Sequence, residues 1–368
     1  MLCKYFFLLL IKNIKKNHFL KNIKKMISFA LILIIFLVLA IFTFLMDKWY
    51  NGPLTPLVHE MNNKIIIITG GSRGIGFETA KSLLKNGATV ILACRKEKEA
   101  LESINTLEDN KEKERCFFMK LDLTDYDSIF TFCEEVIKQF NKIDILINNA
   151  GSCFQHFSTI NGIESTYFTN HVGHLILTIL LLNHFNEKGK IINVATTKYK
   201  RINERILTQF TSDSNLDFSY TKKGYDWMRT YVLSKLADVH FTTYLSNYIE
   251  NNKLNLKTVV LHPGFINNHF FREIEAHSLY WFVRDTLQIP FRWCIFKNNV
   301  MGAQTTLHCA YMNFEELTNG GYFVDCHIEP LKYIGKLEYA KKMINFTKKL
   351  IEKNNIVKGN ENIMNFLN

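Results

Sequence analysis

The chain has little proline and little glycine, five and seventeen in 368 residues, which excludes a collagen-like or low-complexity linker protein. It also lacks paired cysteines. The eight Cys (3, 94, 116, 133, 153, 294, 309, 326) form no CxxC and no regular framework. That scatter argues against a disulfide scaffold or a zinc site and predicts reduced, mostly buried thiols. Acid is missing from residues 1–25, which hold seven Lys and no Asp or Glu, so a formal net charge of +11 falls to +4 over the rest. A balance that mild gives no reason to invoke nucleic acid. The remaining composition, 47% hydrophobic and 21% charged, is that of a globular chain and excludes wholesale disorder.

Charge is absent again over the twenty residues from Ile27 to Met46. At about 1.5 Å per residue such a helix spans roughly 30 Å, the thickness of a bilayer's hydrocarbon core. No small-residue cleavage site follows it; Trp49 and Tyr50 do, and both suit the membrane–water interface. The expected organisation is a basic segment over residues 1–25, a transmembrane anchor over 26–47, a tether over 48–62, a folded domain over 63–330, and a C-terminal helix and tail over 331–368. Lysines ahead of the span favour a cytosolic N-terminus. Against that stand the unpatterned cysteines and the single N-x-S/T sequon, at Asn345. The side of the membrane stays open.

After the tether, residues 64–69 (KIIIIT) form a β-branched run suited to a strand buried on both faces. It leads into Gly70-Gly71-Ser72-Arg73-Gly74-Ile75-Gly76, a helical pattern closed by Asn86-Gly87, and a second strand over 88–94. In that setting the glycines let a pyrophosphate approach the N–H groups at the helix N-terminus. Further strands are expected over 116–121, 143–147, 190–195 and 256–261, with helical stretches between them. The alternation implies an α/β fold, a Rossmann-like doubly wound parallel sheet with helices on both faces, preceded by an N-terminal transmembrane helix. Ligands then sit beyond the carboxyl ends of the strands.

NAD sites usually place an acid at the end of the second strand to hold the ribose 2′-hydroxyl. Here that strand ends Ala93-Cys94-Arg95, and Arg73 lies inside the glycine turn. Two guanidinium groups converging there would accept a 2′-phosphate, so NADP(H) is the expected cofactor. Tyr231 and Lys235 are four apart on a helical stretch and share one face. An ammonium beside a phenol is expected to lower its ordinary pKa of about 10, which lets Tyr231 exchange a proton with an alcohol or carbonyl oxygen.

Four motifs stand in order: Thr69-Gly70-x-x-x-Gly74-Ile75-Gly76, Asn148-Asn149-Ala150-Gly151, Tyr231-x-x-x-Lys235 and Pro263-Gly264. Through them, residues 62–330 resemble the short-chain dehydrogenases/reductases. Asn170-His171-Val172-Gly173-His174, Ser234-Lys235-Leu236-Ala237 and His262-Pro263-Gly264 look most like retinol dehydrogenases. The resemblance implies hydride transfer between an alcohol and a carbonyl on a lipophilic small molecule (retinoid-like, steroid or other lipid), with Tyr231 as acid/base. It also implies that Lys235 binds the nicotinamide ribose, that Asn170 completes a proton relay through water, that Asp122 and Leu123 meet the adenine, and that Asn149 supports the sheet and ribose. Gly70, Ser72, Gly74, Ile75, Gly76, Ala150, Gly151, Pro263 and Gly264 complete the expected cofactor wall. A single-pass protein of the endoplasmic reticulum is expected, with the oligomeric state open and a homodimer among the options.

Two departures stand out. Thr196 occupies the place of the family's substrate-positioning serine, keeping the hydroxyl but adding a stiffening methyl. Asn268 stands where a threonine usually lies near the nicotinamide amide. They keep alive a second reading, a catalytically weak or inactive NADP-binding membrane scaffold. His171 and His174 have i, i+3 spacing without a third ligand, so a structural role is expected and no metal. Cys94 and Cys153 read as packing residues. The aromatic-rich segment over 265–296 is expected to cover an apolar substrate slot. The basic amphipathic stretch over 337–351 reads as a packed terminal helix in preference to a second membrane contact.

Overall fold

The structure, a computed structural model, describes residues 25–42, 44–45, 55, 60–212, 224–266, 297–331 and 335–368. The lysine-rich stretch before Lys25, the pair Trp49 and Tyr50, Asn268, and the aromatic stretch over 267–296 lie outside the described residues. The chain divides into two units. In the first, α1 (Lys25–Phe42) has a mean hydropathy of 2.8 and no buried residue, so it is long and apolar enough to cross a membrane.

The second unit is built from β-α alternation. Its elements are β1 (Ile65–Thr69), α2 (Gly74–Lys85), β2 (Thr89–Cys94), α3 (Glu97–Asn105), β3 (Cys116–Lys120), α4 (Tyr126–Phe140) and β4 (Ile143–Asn148), then a short hairpin, β5 (Thr159–Ile160) and β6 (Ile163–Glu164). A π-helical turn (Phe168–Val172) opens α5 (Gly173–Leu181). There follow β7 (Phe185–Val194), α6 (Glu204–Phe210), α7 (Trp227–Asn251), β8 (Leu256–His262), α8 (Asn299–Tyr311), β9 (Tyr322–Val324), β10 (His327–Glu329), α9 (Leu337–Lys353) and α10 (Glu361–Leu367).

The main sheet runs in the order β10-β9-β8-β7-β4-β1-β2-β3. Every neighbouring pair is parallel except β9–β10. The chain winds outward from β1 to β3 and then returns to place β4 on the other side of β1. That reversal opens a crevice between the carboxyl ends of β1 and β4. Alternate residues of β1 feed opposite layers. Ile67 joins the core beneath α4, α5 and α7, while Ile66 and Ile68 pack with Ala80, Leu83 and Leu84 of α2 and Ala303 and Leu307 of α8. The same logic shapes α4, whose buried Ile129, Phe132, Cys133 and Val136 recur at helical spacing and whose Asp125 caps the Asp127 N–H.

Two boundaries differ from the sequence expectation. The tether joins the folded unit early: the Thr55 N–H and hydroxyl donate to the side-chain and backbone oxygens of Gln304 (2.8 and 3.0 Å), and Met61 is buried. Residues 335–368 continue the folded unit past residue 330, and the stretch over 337–351 is the packed terminal helix that its pattern predicts. The α9 helix buries Met343, Ile344, Phe346, Leu350 and Ile351 in the same core, and α10 sets Phe366 against Tyr248 with ring centroids 4.6 Å apart. Its basic residues face outward, so the apolar half of the pattern is spent on α7.

One buried cation ties sheet to helix. Lys190 at 8% exposure donates to the carbonyls of Ala310 (2.7 Å) and Met312 at the end of α8. Burial lowers its pKa to about 8. These carbonyls have no helical partner of their own. Lys190→Met is therefore expected to cost about 1–3 kcal/mol of stability through unsatisfied buried acceptors, seen as a lowered Tm of the full chain at unchanged cofactor affinity.

Candidate active site

The crevice at the strand reversal is a cleft of about 950 Å³. Its floor is organised by Thr69, the last residue of β1. The Thr69 hydroxyl oxygen accepts from the N–H groups of Asn149 and Ala150 (2.9 Å each), and the Asn149 amide donates back to the Thr69 carbonyl at 2.9 Å. The same hydroxyl lies 2.9 Å from His174 Nε2, while His174 Nδ1 lies 2.8 Å from the Asn170 carbonyl. A carbonyl only accepts, so Nδ1 carries the proton and Nε2 accepts from Thr69. Burial pushes this imidazole down to about 4, consistent with a neutral ring whose two nitrogens are both used.

The glycine turn follows directly. Gly74 has φ +60 and nothing within 4 Å of where a Cβ would lie, leaving the N-terminus of α2 open. Gly76 is required for close approach: a Cβ there would sit 2.5 Å from the Gly70 carbonyl oxygen and 2.7 Å from Asn149 Nδ2. Arg73 is the N-cap residue but makes no side-chain cap bond, so the first N–H groups of α2 have no side-chain acceptor. Ser72 is fixed by its carbonyl, which accepts from the Ser103 hydroxyl of α3 at 2.6 Å. Asp122 folds onto itself, its Oδ1 accepting from the Thr124 N–H and hydroxyl (2.9 and 2.7 Å).

At the mouth of β2 the cleft is lined by Arg73, Arg95, Lys96 and Glu99. Glu99 was not singled out from the sequence. Its carboxylate is held below the usual range first by a hydrogen bond from Lys96 (2.7 Å), with the charges of Lys96, Arg73 and Arg95 adding to it. Three cations against one carboxylate leave this corner positive.

Tyr231, Lys235, Thr196, Pro263 and Gly264 also line the cleft, as do Leu123, Ala150, Gly151 and Ile75. Asn170 does not reach the cleft. It is fully buried behind it, its amide donating to the Ser152 carbonyl and the Ser234 hydroxyl (2.9 Å each) and its Oδ1 accepting from the Ser152 N–H at 2.7 Å. The side chain thus pins the loop after β4 to α7. Thr196 Oγ1 accepts from the Lys198 N–H at 3.4 Å, which leaves its hydroxyl proton for a group in the cleft.

The expected acidification of Tyr231 is not what the structure shows. Burial raises the phenol above its ordinary value, and Cys153 and Asp238 raise it further. The Lys235 ammonium, 4% exposed, donates to the Val194 carbonyl at 2.8 Å and to Asp238 Oδ2 at 3.0 Å. Its charge is thereby partly neutralised before it reaches the phenol. The Cys153 thiol is itself pushed up to about 12 by burial and stays protonated. Two further wall residues were missed from the sequence as site members. Buried His262 has no hydrogen-bond partner at Nδ1 among the described residues, and Lys198 lies 5.9 Å from the Phe265 ring centroid. His174 has protein partners at both ring nitrogens; His171 Nε2 lies 3.1 Å from the Thr347 hydroxyl, and its Nδ1 lies 3.4 Å from Asp238 Oδ1 without a hydrogen bond.

An open helix N-terminus, a left-handed glycine cradle and a positive corner one strand away fit a phosphate-rich dinucleotide. The comparisons agree with this geometry. The family model for short chain dehydrogenases matches residues 64–204. Retinol dehydrogenase 12 of Mus musculus is 31% identical over 282 residues, covering 76% of this chain and 83% of that protein. Retinol dehydrogenase 14 of Homo sapiens is 32% identical over 288 residues, covering 74% and 81%. Among solved structures, a short chain dehydrogenase from Burkholderia cenocepacia in complex with NADP aligns with a TM-score of 0.53 at 19% identity, covering 72% of this chain and 97% of that one. A short-chain dehydrogenase/reductase of unknown function from Caenorhabditis elegans, solved with cofactor, gives 0.56 at 21% identity, covering 72% and 94%. Both show likeness of fold.

Proposed function

Because the chain belongs to the short-chain dehydrogenase/reductase family and resembles its retinol dehydrogenases, we propose that it is a membrane-anchored, NADP(H)-dependent oxidoreductase. It interconverts an alcohol and a carbonyl on a lipophilic substrate, retinoid-like compounds first and steroids or other lipid carbonyls next. The observation that carries the cofactor choice is the corner formed by Arg73, Arg95 and Lys96 with no acid closing β2. Relatives named for retinol support the substrate class, and the bare apolar α1 supports anchoring in a membrane, for which the endoplasmic reticulum is the proposed site.

The nicotinamide, when bound, supplies or takes up the hydride. The chain's residues do the rest. The glycine turn and the uncapped α2 terminus hold the pyrophosphate. Lys235 holds the nicotinamide ribose. Thr196 keeps its proton and donates a hydrogen bond to the reacting oxygen, which orients it. Tyr231 gives a proton to that oxygen in reduction and takes it back in oxidation. A phenol held protonated by burial is the form that reduction needs.

The test is a panel of lipophilic aldehydes, ketones and alcohols offered to the full chain in detergent with NADP(H) and NAD(H). Turnover of carbonyls with NADPH is expected, and turnover preferring NADH would reject the cofactor assignment. Thr196→Ser is expected to raise kcat by about tenfold or less at unchanged cofactor affinity, because serine's hydroxyl rotates more freely into the reacting geometry. Saturable NADPH binding without turnover, in the chain and in Thr196→Ser alike, would favour the inactive scaffold. Thr196, in the place of the family's substrate-positioning serine, is the observation that speaks for that second reading.

A further inference from the structure

Lys235 is not an isolated ammonium. One turn further along α7, Asp238 accepts from it through Oδ2 at 3.0 Å and presents Oδ1 to His171 Nδ1 at 3.4 Å. His171 belongs to the π-helical turn, and its Nε2 lies 3.1 Å from the Thr347 hydroxyl of α9. That hydroxyl lies 2.8 Å from the Tyr167 phenol oxygen, which also reaches Met343 Sδ at 3.4 Å. Every polar group of this chain is at most 5% exposed. A continuous polar line therefore runs from the floor of the cleft to a helix near the C-terminus.

Such a line has a consequence for the charge at Tyr231. A buried carboxylate on the far side of an ammonium cancels much of the ammonium's field at the phenol. The groups facing Asp238 leave that balance intact. Tyr231 and Lys235 lie on its own helix. His171 and His174 face it from the π-helical turn and α5, and His174 is kept neutral by burial. Cys153, from the loop after β4, remains a thiol beside Tyr231. Asp238 is thus the negative partner at this depth that contacts Lys235 directly.

We propose that Asp238 is a positioning residue of the reaction. It holds Lys235 by one carboxylate oxygen, sets the other 3.4 Å from His171 Nδ1, and so poises Tyr231 as a proton donor, which makes the chain a carbonyl reductase at neutral pH. Oxidation, which needs the phenolate as base, becomes efficient only at alkaline pH. This rests on the oxidoreductase reading above, but the role of Asp238 is measurable without turnover.

The experiment compares the full-length chain with Asp238→Asn, which keeps the volume and an acceptor for Lys235 but removes the charge. Tyrosinate ultraviolet absorbance is followed against pH, with Tyr231→Phe subtracted to isolate this phenol, alongside pH profiles of both reaction directions. In Asp238→Asn the alkaline rise of the Tyr231 signal is expected about one pH unit lower, a tenfold gain in phenolate. The alkaline limb of the oxidation should move with it. Thr347→Val, which loses only the hydroxyl that orients His171, should shift both in the same direction by a smaller step, and serves where Asp238→Asn does not fold. An unmoved absorbance rise and an unmoved oxidation limb in a folded variant would overturn the proposal. A wild-type chain that turns over no carbonyl or alcohol would instead overturn the oxidoreductase reading, and the absorbance titration would still decide whether Asp238 governs the phenol.

Discussion

Tyr231→Phe is expected to lower kcat for both directions by about 10²–10⁴-fold, the range of a lost general acid or base, while NADPH binds as before. The substitution removes one oxygen. The ring stays packed against the residues of the main core that surround Tyr231, so the cleft keeps its shape. Lys235 keeps its bonds to Val194 and Asp238, and the glycine turn proposed to hold the phosphates lies between β1 and α2 and not on α7. Steady-state turnover and NADPH fluorescence, measured on the same preparation, separate the two effects. Equal turnover by the variant would end the assignment of Tyr231 as acid/base. A parallel loss of NADPH binding would mean that the phenol organises the cofactor instead of the substrate oxygen.

The second large effect concerns the cofactor's phosphate. Replacing both Arg73 and Arg95 with Ala is expected to weaken NADPH by about 10²-fold, as two charge-assisted contacts of about 1.5–3 kcal/mol each, imperfectly additive, would imply. NADH, which lacks the 2′-phosphate, should change little. Glu99 gives the internal control. It lines that corner and its carboxylate is held below the usual range by its cationic neighbours, so Glu99→Gln should tighten NADPH a few-fold while Arg73→Ala with Arg95→Ala loosens it. Titration of each variant with both nucleotides provides the check. Equal loss for NADPH and NADH would show that the arginines support the turn in place of reading the phosphate.

These residues differ in how visible they were in the sequence. The glycine turn and the Tyr231–Lys235 pair were legible because their chemistry depends on short spacings within one element, where a turn or a helix face fixes the geometry. The sheet was legible for the same reason, since β-branched runs recur between helical stretches. Glu99 was hidden among the charges of a surface helix (EKEALESIN), and only the curl of α3 back over the glycine turn brings it beside Arg73 and Arg95. Asp238 stands in plain view one turn after Lys235, yet its setting depends on His171, which comes from a distant part of the chain and is itself met by Thr347. Asn170 was read as a member of the relay, while its side chain is seen behind the cleft wall, bonded to Ser152 and Ser234. For Tyr231 a sequence pairs phenol with ammonium but does not show the burial that raises the phenol, nor the carboxylate that answers the ammonium. The C-terminal helix is legible as a packed one from its amphipathic pattern, but that pattern alone does not say which surface accepts the apolar face.

The most direct measurement is transfer of label. The full-length chain in detergent is given retinaldehyde, or another lipophilic carbonyl from the panel, with NADPH carrying deuterium at the transferable position of the nicotinamide ring, and the product is analysed by mass spectrometry. The expected result is an alcohol bearing one deuterium, formed by the wild-type chain and not by Tyr231→Phe. Absence of labelled alcohol across the whole panel, from a chain that binds NADPH, would contradict the account.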